Sequence, residues 1–98
     1  MRVSNYKAKR IVDVETGKAS RNFEVGDVVR HFKGGLYIIV TFATNTETNE
    51  EMVIYQSLKD KQVWARPYDM FVSEIDRAKY PAVKEDYRLS RVVLEEEE

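Results

Sequence analysis

Five side chains stand out for what they can do together: His31, Tyr37, Tyr55, Trp64 and Arg66. If their strands pair as neighbours, Tyr37, Tyr55 and Trp64 share one sheet face, because strand side chains alternate between faces. His31 and Arg66 then flank them. Aromatic faces beside a guanidinium make a stacking platform for nucleobases, or a cage for a cationic side chain. The same rings also suit the core of a small barrel, with hydroxyls and the indole N–H reaching polar partners. Residue types alone leave both readings open.

The carboxylates Glu47, Glu50 and Glu51 form a second group. Beside Arg66 or His31 they would be a salt bridge pinning a loop to a strand. As a catalytic pair they would share acid and base roles. Catalysis by His31 would also need an orienting carboxylate and a nucleophile. Ser57, Ser73 and Ser90 sit in no elbow motif, so no catalytic set assembles. Lys33-Gly34-Gly35 has backbone N–H groups that suit an anion. It lacks P-loop spacing and reads as a tight turn. A third group, Arg2, Lys7, Lys9 and Arg10 around Tyr6, would contact phosphates in a strongly salt-dependent way.

Composition removes several classes of chemistry. The absence of cysteine rules out disulfides, thiolate metal sites and cysteine nucleophiles. A single histidine rules out a multi-histidine centre, and no EF-hand spacing is present. No cofactor and no metal are therefore expected. No apolar run approaches the ~18 residues of a membrane span, and the N-terminus lacks a signal-peptide core. The expectation is a cytoplasmic protein without a membrane partner. Net charge is −1, split between +4 over residues 1–33 and −5 over residues 34–98. Dedicated nucleic-acid binders are usually far more basic.

These groups must be held by strands. The 98 residues suffice for one small domain. Residues 1–23 read as a basic arm or short hairpin, with a strand at Ile11–Val14, a turn at Glu15–Lys18 and a linker from Lys18 to Asn22. Residues 24–94 read as a single barrel-like domain, and Glu95–Glu98 as a solvated, mobile acidic tail. Val28–Lys33 and Leu36–Ala43 form a hairpin around Lys33-Gly34-Gly35, whose glycines supply positive φ. Alternation groups Leu36, Ile38, Val40 and Phe42 on one face of the second strand, which reads as central. Further strands are expected at Glu51–Leu58 and Val63–Arg66, the latter ended by Pro67. A helical turn suits residues 67–71. A short strand is expected at Val72–Ile75, a surface loop at Asp76–Asp86 and a last strand at Tyr87–Leu94. The fold class is all-β, a strongly bent antiparallel sheet or SH3-like partly open barrel, with an OB-like barrel second.

The pattern His31-Phe32-Lys33-Gly34, Leu36-Tyr37, Ala43, Thr46-Glu47-Thr48, Glu50-Glu51, Val53-Ile54-Tyr55, Trp64-Ala65-Arg66-Pro67 and Met70-Phe71 resembles a small bacterial family, domain of unknown function 1653. The resemblance covers roughly residues 24–75. It implies a compact β-rich domain and a bacterial or phage-like setting. It brings no activity, ligand or catalytic residue with it.

The function expected first is a non-enzymatic binding module for a protein, a peptide or nucleic acid. One alternative is a small enzyme, or an accessory domain of one, using His31, Glu47 and Arg66 on a phosphorylated or nucleotide-like substrate. The other is a structural homo-oligomer pairing its strand edges.

Overall fold

The computed structural model describes residues 6–10 and 22–96. The strands are β1 (Tyr6–Arg10), β2 (Val28–His31), β3 (Leu36–Thr44), β4 (Glu51–Ser57), β5 (Val63–Pro67) and β6 (Leu89–Glu96), with a helical turn α1 (Tyr68–Phe71) after β5. They form one antiparallel sheet in the order β1-β6-β2-β3-β4-β5. β2 to β5 are a meander. β6 returns past α1 to lie between β1 and β2. No ladder joins β5 to β1 among the described residues, so the all-β sheet is open, as the partly open form requires.

The expected strand over Ile11–Val14, the turn Glu15–Lys18 and nearly all of the linker lie outside the described residues, as do Arg2 and Glu97–Glu98. The basic stretch Tyr6–Arg10 is itself a strand, with Lys7 opposite Glu95 and Lys9 opposite Val93. β6 accordingly runs through Glu96, into the run read as a mobile tail. It begins at Leu89 rather than Tyr87. Instead of a strand at Val72–Ile75 there is a single bridge, Glu74 to Tyr87. Two backbone bonds flank it, from the Ile75 N–H to the Asp86 carbonyl and from the Arg88 N–H to the Ser73 carbonyl, each 3.0 Å, and the pairing extends no further.

Strict alternation fails on β3. The register with β4 shifts between Ile39 and Thr41, which makes Val40 an extra residue, 43% exposed. Tyr37, Ile39 and Phe42 therefore stand opposite Ser57, Tyr55 and Val53. Phe42 leaves the face shared by Leu36 and Ile38 and joins the core. A bulge also bends its strand and increases the local twist, which helps a short sheet curl over one core.

That core joins Phe23, Val29, Ile39, Val53, Tyr55, Phe71 and Leu89, with Tyr37, Phe42, Tyr68 and Val72 packed against it. Phe71 is fully buried and meets Phe23 and Tyr55 edge-on, each at 5.4 Å between ring centroids. Pro67 precedes α1 with extended backbone, φ −54° and ψ 138°, and makes no side-chain cap. The turn is thus held by its buried phenylalanine. At the sheet's other end Arg91 clasps Asp27: Nε lies 2.9 Å from Oδ2 and Nη2 3.4 Å from Oδ1. Asp27 Oδ2 also accepts the Glu24 N–H at 2.7 Å.

Candidate functional site

The β2–β3 turn shapes the first wall of the site. Gly34 has φ +116°, a backbone conformation that L side chains avoid, and its N–H donates to the His31 carbonyl at 2.8 Å. Gly35 is needed for a different reason, since its φ is not positive. A Cβ there would lie 3.0 Å from the Tyr37 hydroxyl and 3.1 Å from its ring. The turn therefore carries one positive-φ glycine and one close-approach glycine. The anion role considered for its amides meets an obstacle. The Lys33 N–H donates to His31 Nδ1 at 3.1 Å and the Gly34 N–H is also taken.

Register then assembles the face. Val29 stands opposite Tyr37, and Tyr55 stands opposite both Ile39 and Trp64. Tyr37, Tyr55 and Trp64 consequently lie on the same side of the sheet. His31, Tyr37, Tyr55, Trp64 and Arg66 line one open concavity of about 420 Å³, together with Lys33, Gly35 and Leu89. The rings differ in burial. Tyr55 belongs to the core and is 6% exposed, while Trp64 is 46% exposed. Tyr37 is intermediate in burial and lies edge-on to Tyr55 at 5.4 Å. The core reading suits Tyr55 and the surface reading suits Trp64.

A second concavity, of about 320 Å³, adjoins the first and shares His31, Lys33 and Arg66 with it. Its other walls include Phe32, Asp76, Lys79, Tyr80 and Arg88. The segment read as a surface loop supplies Asp76, Lys79 and Tyr80. It is tied down by Arg77, whose guanidinium donates to the carbonyls of Val83 and Glu85 and pairs with Asp86. The Phe32 N–H donates to the Arg88 carbonyl at 3.0 Å, which brings Arg88 beside His31. Phe32 packs edge-on against Tyr80 at 5.0 Å, and Lys33 Nζ stands 5.0 Å from the Tyr80 ring.

The charges in this cleft are one-sided. Among the described residues, Lys33, Arg66, Lys79 and Arg88 face a single carboxylate, Asp76. Asp76 is engaged locally, accepting the Ala78 N–H at 3.0 Å. Ion pairs among the described residues join Arg30 to Glu85, Arg77 to Asp86 and Arg91 to Asp27, and none of these uses a cation of this cleft. Two groups register that field. The His31 imidazole is held below its ordinary range by burial, then by Arg66, Lys33 and Arg88. The Tyr80 hydroxyl is lowered by a hydrogen bond from Lys33 and by the Lys33 and Lys79 charges. With Nδ1 accepting a backbone N–H, neutral His31 carries its proton on Nε2.

The loop carboxylates do not join this cleft. Glu47, Glu50 and Glu51 are exposed and line neither concavity. The Glu47 N–H donates to Asn45 Oδ1 and the Glu50 N–H to Thr48 Oγ1, so both residues belong to the β3–β4 loop. Glu51 stands opposite Thr44, at the far end of β3 from Tyr37, roughly 20 Å away at the rise of a strand. No ion pair links these carboxylates to Arg66 or His31 among the described residues. The salt bridge expected there is absent because the loop turns away at the other end of the hairpin. Among the described residues no three metal-ligating side chains converge, and no helix is long and apolar enough to cross a membrane.

Lys79, Tyr80 and Arg88 escaped the sequence reading. Their one signal was the recurrence of basic residues, Arg77, Lys79 and Lys84 in the stretch read as a surface loop and Arg88 at the start of the last expected strand. No curated protein and no solved structure matches the chain. Residues 27–91 match the family described as Protein of unknown function (DUF1653). The match reaches past residue 75 and takes in the loop that carries Lys79 and Tyr80, as well as Arg88. Spanning well over half of the sequence, it establishes that the chain belongs to the DUF1653 family.

Proposed function

We propose that this domain is a non-enzymatic binding module whose ligand-contacting surface is the concave face built around Tyr37, Trp64 and Arg66. One observation carries the reading: side chains from β2, β3, β4 and β5 converge on one open concavity that keeps a tryptophan half exposed. A large aromatic left open beside a guanidinium is the usual anchor of a recognition surface. The enzyme reading loses its motivation, because Glu47 does not meet His31 and Arg66 in either concavity. The test is a Trp64→Ala, Arg66→Gln double variant, confirmed as folded by its amide spectrum and used beside the parent in pull-downs. Loss of the partners that the parent captures is the expected result. Retention of every partner by a folded variant refutes the reading.

A second reading has its own support. β5 is an edge strand that exposes Val63 and Trp64, and such edges template pairing with another chain. Self-association through β5 would raise the mass seen in light scattering with concentration. A constant monomer mass at millimolar protein sinks that version.

A further inference from the structure

The two adjoining concavities divide their chemistry. One end holds Trp64 with Tyr37, and the other holds Lys33, Arg66, Lys79 and Arg88, with His31, Lys33 and Arg66 forming the shared wall. A ligand that fills both must be flat and aromatic at one end and anionic at the other. We infer that the cleft takes a nucleotide unit, with its phosphate among Lys33, Arg66, Lys79 and Arg88 and its base against Trp64 and Tyr37. This rests on the binding-module reading and gives it a ligand class.

Three observations favour a nucleotide over other anions. Guanidinium groups suit the several oxygens of a phosphate, and Arg66 and Arg88 both face the cleft. Trp64 is 46% exposed where a purely electrostatic site needs no open ring, and base stacking on such a ring is sequence-tolerant. The third observation concerns competition for the cations. A third concavity of similar size borders the cleft at His31 and Phe32, and its charged walls are Arg30, Lys84 and Glu85. There Arg30 already meets Glu85 at 3.6 Å, so part of its charge is answered from within the protein. Among the described residues, the cations of the aromatic-lined cleft form no ion pair with a carboxylate. An acidic peptide would satisfy them as well, but it gives Trp64 no planar partner.

The cleft's titratable groups sharpen the inference. His31 faces Arg66, Lys33 and Arg88, and all of them discourage its protonation. Asp76 is the carboxylate on that wall, and Tyr80 with Lys79 completes it. A bound phosphate would oppose those cations and let His31 take up a proton more easily.

The experiment is an amide and indole NMR titration of the full chain at low and then moderate salt. The probes are adenosine 5′-monophosphate, adenosine, inorganic phosphate, hexaglutamate and a mixed-sequence single-stranded DNA ten-mer. The expected result is saturable shifts at Lys33, Tyr37, Trp64 and Arg88 with the monophosphate, at least tenfold tighter than with adenosine or phosphate alone. Trp64→Ala and Lys33→Gln, both at exposed positions, should each weaken it about tenfold while the rest of the spectrum is unchanged. A ten-mer that binds much more tightly than the monophosphate, with a salt slope of about −0.7 per phosphate held, identifies a nucleic-acid strand as the source. Equal affinities identify a free nucleotide. Phosphate or hexaglutamate matching the monophosphate overturns the inference, as do shifts confined to residues 6–10 or no shifts at all. In those cases the binding-module reading still stands or falls by the pull-downs with the double variant.

Discussion

Phe71 is where a single truncation should do the most damage. Its ring is fully buried, meets Phe23 and Tyr55 at 5.4 Å, and is the one buried residue of α1. Truncating a buried phenylalanine to alanine costs about 3–5 kcal/mol, from lost transfer energy and from the cavity left behind. Here the surrounding sheet cannot collapse far, because Val29, Ile39, Val53 and Leu89 are held in paired strands. Phe71→Ala is thus expected near 4 kcal/mol. A domain of this size has about 5–15 kcal/mol in total, so the loss takes a large share. The melting temperature should fall by about 15–30 °C. Urea unfolding followed by Trp64 fluorescence would report it, with the midpoint lowered and the slope m unchanged. Met70→Ala is the internal control: its side chain, next in sequence, is 48% exposed and should change stability by less than about 0.5 kcal/mol. A loss below about 1 kcal/mol for Phe71→Ala would refute the claim that this ring holds the helical turn to the core. Because Tyr55 rests against Phe71, the same variant should also broaden the Tyr55 resonances.

The remaining predictions concern the turn, the clasp and the histidine. Gly34→Ala should lower stability by about 1–3 kcal/mol through backbone strain at φ +116°. Gly35→Ala should instead displace the Tyr37 ring, visible as a change in its aromatic chemical shifts, and unchanged shifts would contradict the close approach. Asp27→Asn weakens a bidentate, mostly buried clasp with Arg91 and should cost about 1–3 kcal/mol in urea unfolding. A change under about 0.5 kcal/mol would mean that the clasp is replaced by water. His31 should titrate below 6.5 in the folded chain, and Arg66→Gln should raise its pKa. Between the folded value and 6.5 the unfolded chain binds more protons, so stability should rise with pH across that window. A ring titration at or above 6.5 would overturn the assignment of burial and neighbouring cations as the cause.

Local chemistry made much of this protein legible before any coordinates. The Gly-Gly turn between two β-branched and aromatic runs marks the β2–β3 hairpin, and Pro67 marks the end of β5, because φ preferences and missing donors act within a few residues. Alternation along each strand made a shared face for Tyr37, Tyr55 and Trp64 available, and the register of β3, β4 and β5 decided it. Three matters were decided only by tertiary structure. The bulge at Val40 reverses the facing of β3 beyond Ile39, and a one-residue slip carries no signature in a run apolar on both sides. The strand at Tyr6–Arg10 forms against β6, a pairing that joins the two ends of the described chain and that no local pattern encodes. The cationic wall of Lys79 and Arg88 exists because a loop clamped by Arg77 folds back beside His31. Side chains distant in sequence meet through loop closure and packing. Their convergence is a property of the whole sheet and of no single segment.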